Sequence, residues 1–167
     1  MADGNKSLHE LPRDLDAFND EAIRRGWSDG LPLIPPTVER VERFLSANPG
    51  LDREEIIGVI PPRNGLATVE GLAINAVMAG CLPEHLPVVT TAARCMVDPA
   101  FNLEAVQTTT HPVAPLVVLH GPVVERLGAN ALFGCFGPGN RTNASVGRAI
   151  RLALWNIGGG RPDDGDQ

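Results

Sequence analysis

The spacing of apolar and polar residues predicts a series of helices. In LDAFNDEAIRRG, residues 15–26, the apolar Leu15, Phe18 and Ala22 fall on one side of a helix that Gly26 ends. Thr37 is suited to cap a second helix, VERVERFLSANPG, because its side-chain oxygen can accept a hydrogen bond from an unpaired N–H of the first turn. The residues of this second helix expected to face inward are Val38, Val41, Phe44 and Leu45.

Four further helices follow along the chain. Thr68 opens VEGLAINAVMAG, which is apolar on all sides and is therefore expected to be buried, against this chain or another. Pro83 opens a helix through EHLPVVTTAARCMV, with a start that we expect Pro87 to distort and with Cys95 on its core face. VVERLG predicts a short helix, and ASVGRAIRLALWN predicts the last long one.

Two short apolar runs predict strands. EEIIGVIPP is typical of a buried strand ended by two prolines, and APLVVLHG is a β-branched run bounded by proline and glycine. The prolines of GWSDGLPLIPPT exclude regular structure there. Because strands and helices mix without a βαβ rhythm, we predict an α+β or irregular α/β fold, with about five or six helices around a small sheet. We expect one domain over residues 13–160, between a flexible tail at 1–12 and a disordered acidic tail at 161–167.

Composition narrows the possible functions. The 167 residues carry a net charge of −6, which argues against nucleic-acid binding because phosphates require a basic face. No apolar run approaches the roughly 20 residues of a membrane span, so no membrane partner is expected. MADGNKSLHE lacks the apolar core of a signal peptide, which favours a cytoplasmic location. The chain has three cysteines without a paired motif, so they predict no disulfide framework.

The stretch FGPGNRTNASVGRAIRL, residues 136–152, has features of an anion site. Unpaired N–H groups and the helix dipole attract anions to a helix N-terminus, here capped by Asn143. Gly139 lets a ligand approach the backbone, and Asn140 and Arg141 add polar groups, of which the Arg141 fork suits a carboxylate or phosphate. The alternative interpretation is a simple turn followed by an N-cap.

Cys81 is the candidate nucleophile. It lies in AGCLPEH, just ahead of a predicted helix N-terminus, a position that favours the thiolate, and His85 follows in the first turn. The alternative is a small buried thiol that fills the corner between two helices. Cys135, in the loop before the anion-site candidate, is the plausible redox partner of Cys81.

His111 and Asp29 are the candidate acid–base and orienting groups. His111, in TTTHPVAP, precedes the predicted strand and belongs to a residue type that titrates near neutrality; the alternative is a structural histidine. Asp29, in GWSDGLP, has the sequence context of an Asx turn, in which its side chain accepts from a nearby backbone N–H. In the other interpretation, the proline-rich segment folds over the site and delivers Asp29 or Trp27 into it. Nitrogen and sulfur donors are scattered, so no metal site is predicted, and no motif identifies a cofactor.

Four stretches together resemble an uncharacterised family of bacterial proteins: GWSDGLPLIPPT, MAGCLPEHLPVV, TTTHPVAPLVV and FGPGNRTNASVGRAIRL with NIGGG. Genes of that family lie near those of small (seleno)proteins with a Sec/Cys-Gly-Ser-Cys motif, which implies thiol or selenol redox chemistry. The resemblance covers roughly residues 26–160. Many members continue beyond the NIGGG-like end, which implies that this chain is one subunit of a split protein. The family often has a basic residue where this chain has Leu82, which weakens an anion-binding role for that position.

These observations favour an enzyme or enzyme subunit that performs thiol-dependent redox or carbon–heteroatom bond chemistry on a small anionic or polar metabolite. Cys81, His111 and Asp29 would be catalytic in this hypothesis. The substrate-binding residues would be Trp27, Gly139, Asn140, Arg141 and Asn143. The alternatives are a non-catalytic subunit that completes a partner's site and a small-ligand-binding protein. In each case we expect a second protein chain or a homo-oligomer.

Overall fold

Seven α-helices and a small antiparallel sheet make up the described part of the chain, which confirms the predicted α+β class. The structure is a computed structural model that describes residues 9–162 and the backbone of residues 165 and 166. The helices are α1 (Leu15–Arg24), α2 (Val38–Ser46), α3 (Val69–Met78), α4 (Leu86–Val97), α5 (Leu103–Thr108), α6 (Pro122–Arg126) and α7 (Arg141–Asn156). Single 3₁₀ turns cover Pro83–His85 and Pro99–Phe101, and the strands are β1 (Ile56–Ile60), β2 (Gly65–Thr68), β3 (Arg161–Pro162) and β4 (Gly165–Asp166).

Side-chain caps set the start of the main helices. Thr37 caps α2 and Thr68 caps α3, as predicted, each accepting a hydrogen bond from a first-turn N–H. The predicted cap of α7 is wrong by one turn: Asn140, not Asn143, caps this helix, and Asn143 lies inside its first turn. The expected distortion at the start of α4 is confirmed, because a 3₁₀ turn from Pro83 precedes it.

The core forms where α3 packs on α7. Small side chains at Ala73, Ala76, Ala149 and Ala153, each at most 1% exposed, let the two backbones approach closely. Helix α3 is buried on nearly all sides, as its uniformly apolar sequence predicts. Helices α2 and α4 cover the flanks of this pair, and the sheet packs on α4.

The sheet is smaller and more exposed than predicted. Strand β1 pairs with β2 through a tight turn in which Asn64 has φ 57°. Only Ile60 of β1 is buried, whereas Ile56 is 58% exposed, so the expectation of a buried strand is wrong. A two-stranded sheet has one face on α4 and the other in solvent, which accounts for this exposure.

The predicted strand APLVVLHG is not a paired strand. Its backbone makes no hydrogen bond with another strand within residues 9–162, although its side chains alternate between exposed and half-buried positions. Cys95, which was predicted to lie in the core, is exposed. Leu15 and Val38, which were expected to face inward, are also exposed. Each of the three lies at the margin of the apolar side of its helix. Helix α5 and strand β2 were not predicted.

The predicted tails are described in part. Residues 1–8 of the expected flexible tail, and residues 163, 164 and 167 of the expected acidic tail, lie outside the described residues. The short strands β3 and β4 pair in parallel within the second of these segments. In the described part of the chain, no helix is both long and apolar enough to cross a membrane.

Two glycines predict opposite effects of alanine substitution. A Cβ on Gly65 would overlap the backbone carbonyl of Ile157, whereas a Cβ on the exposed Gly147 of α7 meets nothing within 4 Å. We expect Gly65→Ala to lower the free energy of unfolding by several kcal/mol and Gly147→Ala to raise it by about 0.5–1 kcal/mol. Urea unfolding measures both, and equal effects would contradict the packing of β2 against the end of α7.

Candidate functional site

The predicted anion site at the start of α7 is filled by the chain's own hydrogen bonds. The Asn140 carboxamide oxygen accepts from the Asn143 N–H at 2.9 Å, and its Nδ2 donates to the Gly128 carbonyl at 2.8 Å. The Asn143 side chain donates to the carbonyls of Asn130 and Cys135, at 2.9 Å each, and accepts from the Asn130 N–H. Gly139 is exposed with φ 105°, which a turn into the helix requires. Both asparagines therefore brace the loop before α7.

Arg141 joins the start of α7 to the end of α3. Its Nε and Nη2 both donate to the Gly80 carbonyl, at 3.0 and 2.9 Å. This contact brings Arg141 beside Cys81, so two of the predicted site residues do meet. The side of the guanidinium suited to a bidentate carboxylate is occupied by a backbone oxygen instead.

Cys81 is a buried thiol, only 4% exposed. Its Sγ lies 3.3 Å from the Ser145 carbonyl oxygen of α7. Burial raises the pKa of Cys81 to about 11, although Ser145 and the Arg141 charge act in the opposite direction. The expectation that this position favours the thiolate is therefore wrong for this conformation, because the side chain points into the packing between helices and not towards a free helix N-terminus.

His85 is a buried polar member of the same corner. Its Nδ1 accepts from the Leu82 N–H at 3.2 Å, so the ring proton resides on Nε2 in the neutral form. That Nε2 lies 3.3 Å from the Thr142 hydroxyl oxygen, which donates its own proton to the Leu127 carbonyl. Burial lowers the pKa of His85. In its neutral form, the His85 ring thus links the backbone at Leu82 to Thr142 of α7 and, through the Thr142 hydroxyl, to Leu127.

Asp29 is tied to α7 rather than to Cys81. Its two carboxylate oxygens accept from Arg148 at 3.0 and 2.8 Å, and Arg148 also donates to the Leu31 carbonyl. Burial would raise the pKa of Asp29, but the hydrogen bonds and charge of Arg148 outweigh burial and hold this pKa below its ordinary value. Asp29 also accepts from the Leu31 N–H at 3.4 Å, as in the Asx turn that was predicted as the alternative.

His111 lies in a different part of the molecule's surface. It is exposed and lines a shallow groove of about 560 Å³ with residues of α5 and the preceding 3₁₀ turn. Within the described residues, no hydrogen bond or ion pair joins it to Cys81, Asp29 or Arg141.

Trp27, by contrast, lines a large groove of about 1250 Å³, here named the Trp27 groove. The proline-rich segment forms one wall through Pro35 and Pro36, as expected if that segment folds over a site. Helix α3 supplies the opposite wall with residues spaced three and four apart, which share one side of a helix. Those α3 residues are Gly71, Ile74, Asn75 and Met78.

The Trp27 groove is basic although the chain is acidic. Glu39 is the one acidic residue among the described lining. Four arginines line the groove: Arg13, Arg40, Arg43 and Arg161. Neither Arg13 nor Arg43 makes an ion pair or side-chain hydrogen bond with the described residues. A concave basic surface on a protein of net charge −6 concentrates small anions.

Two buried polar atoms in the wall of this groove have no hydrogen-bond partner among the described residues: Arg161 Nε and Asn156 Oδ1. The Asn156 Nδ2 donates to the Trp27 carbonyl at 3.1 Å and to Asn75 Oδ1 at 3.0 Å. Because the Trp27 carbonyl can only accept, it fixes which end of the Asn156 amide carries oxygen. These two hydrogen bonds thus identify the buried atom without a partner as the Asn156 oxygen, which is an acceptor.

Arg161 is held in place by stacking. Its guanidinium carbon lies 5.6 Å from the centre of the Trp155 ring, and a Cβ on Gly26 would come within 2.8 Å of its Nη1. Trp155 is itself anchored by its Nε1, which donates to the Gly26 carbonyl at 2.7 Å. Stacking thus fixes the guanidinium, and its buried Nε has no hydrogen-bond partner among the described residues.

Sequence reasoning identified Trp27 but missed Arg161 and Asn156. Arg161 follows the glycines of NIGGG and was assigned to the tail, and Asn156 lies at the end of a helix where amides are common. The available signal was the one-sided spacing of Gly71, Ile74, Asn75 and Met78, which places a polar residue inside an apolar helix.

Within the described residues, no group of three or more His, Cys, Asp or Glu side chains is arranged to hold a metal ion.

No family model matches the chain, and neither the curated proteins nor the solved structures contain a significant match. The resemblance to the bacterial family near Sec/Cys-Gly-Ser-Cys proteins therefore stays a prediction.

Burial of Cys81 predicts selective alkylation. At pH 8 and with iodoacetamide, we expect Cys81 to react at least about 100-fold more slowly than the exposed Cys95, because both access and thiolate fraction are reduced. Peptide mass spectrometry after timed quenching measures the two rates. Addition of urea beyond the unfolding midpoint should equalise them. Fast labelling of native Cys81 would contradict the buried geometry.

The Asp29–Arg148 pair predicts a pH-dependent contribution to stability. The pKa of Asp29 is lower in the folded state, so its contribution is present above the unfolded pKa near 3.8 and is lost as pH falls through the folded value. We expect Asp29→Asn to cost about 1–3 kcal/mol at pH 7 and progressively less below about pH 4. Glu21→Gln, in an exposed pair on α1, is the control and should cost clearly less than Asp29→Asn at pH 7, because solvent screens that pair. A loss for Asp29→Asn that is independent of pH would contradict this account.

Proposed function

We propose that the chain binds a small anionic molecule with an apolar body in the Trp27 groove. The observation that carries this proposal is that two residues lining the groove each have a buried polar atom without a partner in the described part of the chain, the donor Arg161 Nε and the acceptor Asn156 Oδ1. A buried polar atom without a partner costs about 1–3 kcal/mol, and a ligand that supplies the partner recovers that energy.

The two atoms specify the chemistry of the ligand. An anionic oxygen, of a carboxylate or a phosphate, accepts from Arg161, and a hydroxyl or amino hydrogen donates to Asn156 Oδ1. The apolar body lies against Trp27, Pro35 and Ile74. The additional arginines at the rim raise the local concentration of anions without fixing their orientation.

Ligand binding, one of the alternatives drawn from the sequence, is supported better than thiol-dependent catalysis. Apart from arginine, the described lining of the groove offers only His9 and Glu39 as titratable groups. Cys81 contacts α7 through Ser145 and its thiolate is disfavoured. We therefore propose a cytoplasmic small-ligand-binding protein that acts as a subunit with another chain or copy, rather than an enzyme complete in itself.

Binding of phenyl phosphate tests this proposal. It combines an aromatic body with a dianion; benzyl alcohol lacks the charge, and inorganic phosphate lacks the apolar body. We expect isothermal titration calorimetry to detect phenyl phosphate most strongly. Arg161→Gln should weaken its binding about tenfold or more, because a hydrogen bond to a charged group contributes about 1.5–3 kcal/mol.

Arg151→Gln is the matched control. Arg151 also stacks on the Trp155 ring, at 5.4 Å, but it does not line the groove, so the two variants change charge equally beside the same aromatic ring. We expect Arg151→Gln to retain the affinity of the unmodified chain. Equal losses in the two variants would indicate nonspecific attraction, and absence of phenyl phosphate binding tighter than about 10 mM would count against the groove as a site.

A further inference from the structure

Residues 114–120 belong to no helix or strand of the described part of the chain. Its side chains alternate: the odd-numbered Val117 and Leu119 pack against the core, whereas the even-numbered Leu116 and Val118 are 66% and 62% exposed. A period of two is the signature of β-strand geometry. Within the described part of the chain, no backbone hydrogen bond is made by any residue from Ala114 to His120. The segment therefore presents strand edges that nothing in this part of the chain occupies.

The two edges of this segment are not equivalent. In a strand, the N–H and C=O groups of alternate residues point to opposite edges. The edge formed by even-numbered residues carries complete donor–acceptor sets, from Ala114, Leu116, Val118 and His120. The other edge loses a donor at Pro115. Pairing is therefore favoured on the even-numbered edge.

The exposed face of the segment is apolar and uncharged. From Pro112 to His120 there is no Asp, Glu, Lys or Arg, in a chain with a net charge of −6. Natural edge strands are usually protected by charged residues, and this one is not. Elsewhere in the sequence, the loop after α6 also exposes apolar side chains: Leu132 at 77%, Phe133 at 100% and Phe136 at 87%.

Among the described residues, no strand pairs with this edge. Strands β1 with β2, and β3 with β4, already pair with each other. Residues 1–8 read MADGNKSL and residues 163, 164 and 167 are Asp, Asp and Gln, none of which supplies an alternating apolar strand. The edge is therefore open in the described part of the chain.

We propose that a second copy of the chain pairs with the even-numbered edge, antiparallel and across a two-fold axis that passes beside Val117. This register places Leu116 opposite Val118 of the second copy and Ala114 opposite its His120. It uses all four N–H groups of the edge from each copy. This inference is independent of the Trp27 groove.

Self-complementarity favours a second copy over a different polypeptide. Apart from His120, which lies opposite Ala114, every residue paired in this register is apolar, and no carboxylate takes part, so two acidic chains approach through a surface without negative charge. A two-fold axis requires each edge to match itself, and a uniform apolar run meets that condition.

Sedimentation equilibrium of the full chain, combined with residue-resolved amide exchange, tests this inference. We expect a dimer in which the amides of Leu116, Val118 and His120 exchange at least about tenfold more slowly than those of Val117 and Leu119, since alternate amides face the partner strand. Dilution to the monomer should abolish the difference.

Val118→Asp should weaken the dimer at least tenfold, because it places a carboxylate opposite Leu116 of the second copy. Val118 is exposed, so the monomer fold should be retained, as circular dichroism would verify. Ile23→Asp is the control: Ile23 is 56% exposed on α1, and its replacement should leave the dimer intact.

A monomer with fast exchange at both edges would overturn the proposal, as would a dimer insensitive to Val118→Asp. Protection that arises only when a different polypeptide is bound would assign the edge to that partner and would equally overturn it.

Discussion

Side chains of α7 that hydrogen-bond to backbone groups of irregular segments hold the rest of the structure in register. Arg141 binds the Gly80 carbonyl, Arg148 binds Asp29 and the Leu31 carbonyl, and Trp155 binds the Gly26 carbonyl. The proline-rich segment from residue 26 to residue 37 cannot satisfy its own backbone groups by forming a helix or sheet, because prolines remove donors and fix φ. Helix α7 supplies donors to three carbonyls of this segment, while Asn19 of α1 and the Met78 carbonyl of α3 accept from two of its N–H groups, so the packing of α7 on α3 determines where the segment lies.

This constraint explains why three of the residues expected to bind substrate make structural contacts in this conformation. Arginine and asparagine near glycines have the donors that an anion site needs, but the same donors satisfy carbonyls left unpaired by turns. At Arg141, Asn140 and Asn143 the protein's own carbonyls are the acceptors. The exception is Trp27, which the anchored segment carries to a groove lined by two residues that each have a buried polar atom without a partner among the described residues.

Local sequence signals predicted the helices well and the long-range arrangement poorly. Thr37 and Thr68 identified their helix starts because a cap is decided by residues within one turn. The burial of α3 followed from its uniformly apolar sequence. In contrast, APLVVLHG has the composition of a strand, but pairing depends on a partner that composition does not specify. Arg161 could not be assigned to the groove from the sequence. Its position depends on stacking against the Trp155 ring and on the close approach of Gly26, which lies far from it in the sequence.

The central claim is that the unpaired Arg161 Nε is a ligand donor. The most direct measurement follows the arginine Nε–H signals by NMR in chain labelled with ¹⁵N-arginine, during titration with phenyl phosphate. The account predicts that the Arg161 Nε–H signal, assigned through Arg161→Gln, shifts with saturation and exchanges more slowly with water, whereas the Arg151 signal does not move. Saturable binding with an unchanged Arg161 signal would contradict the account.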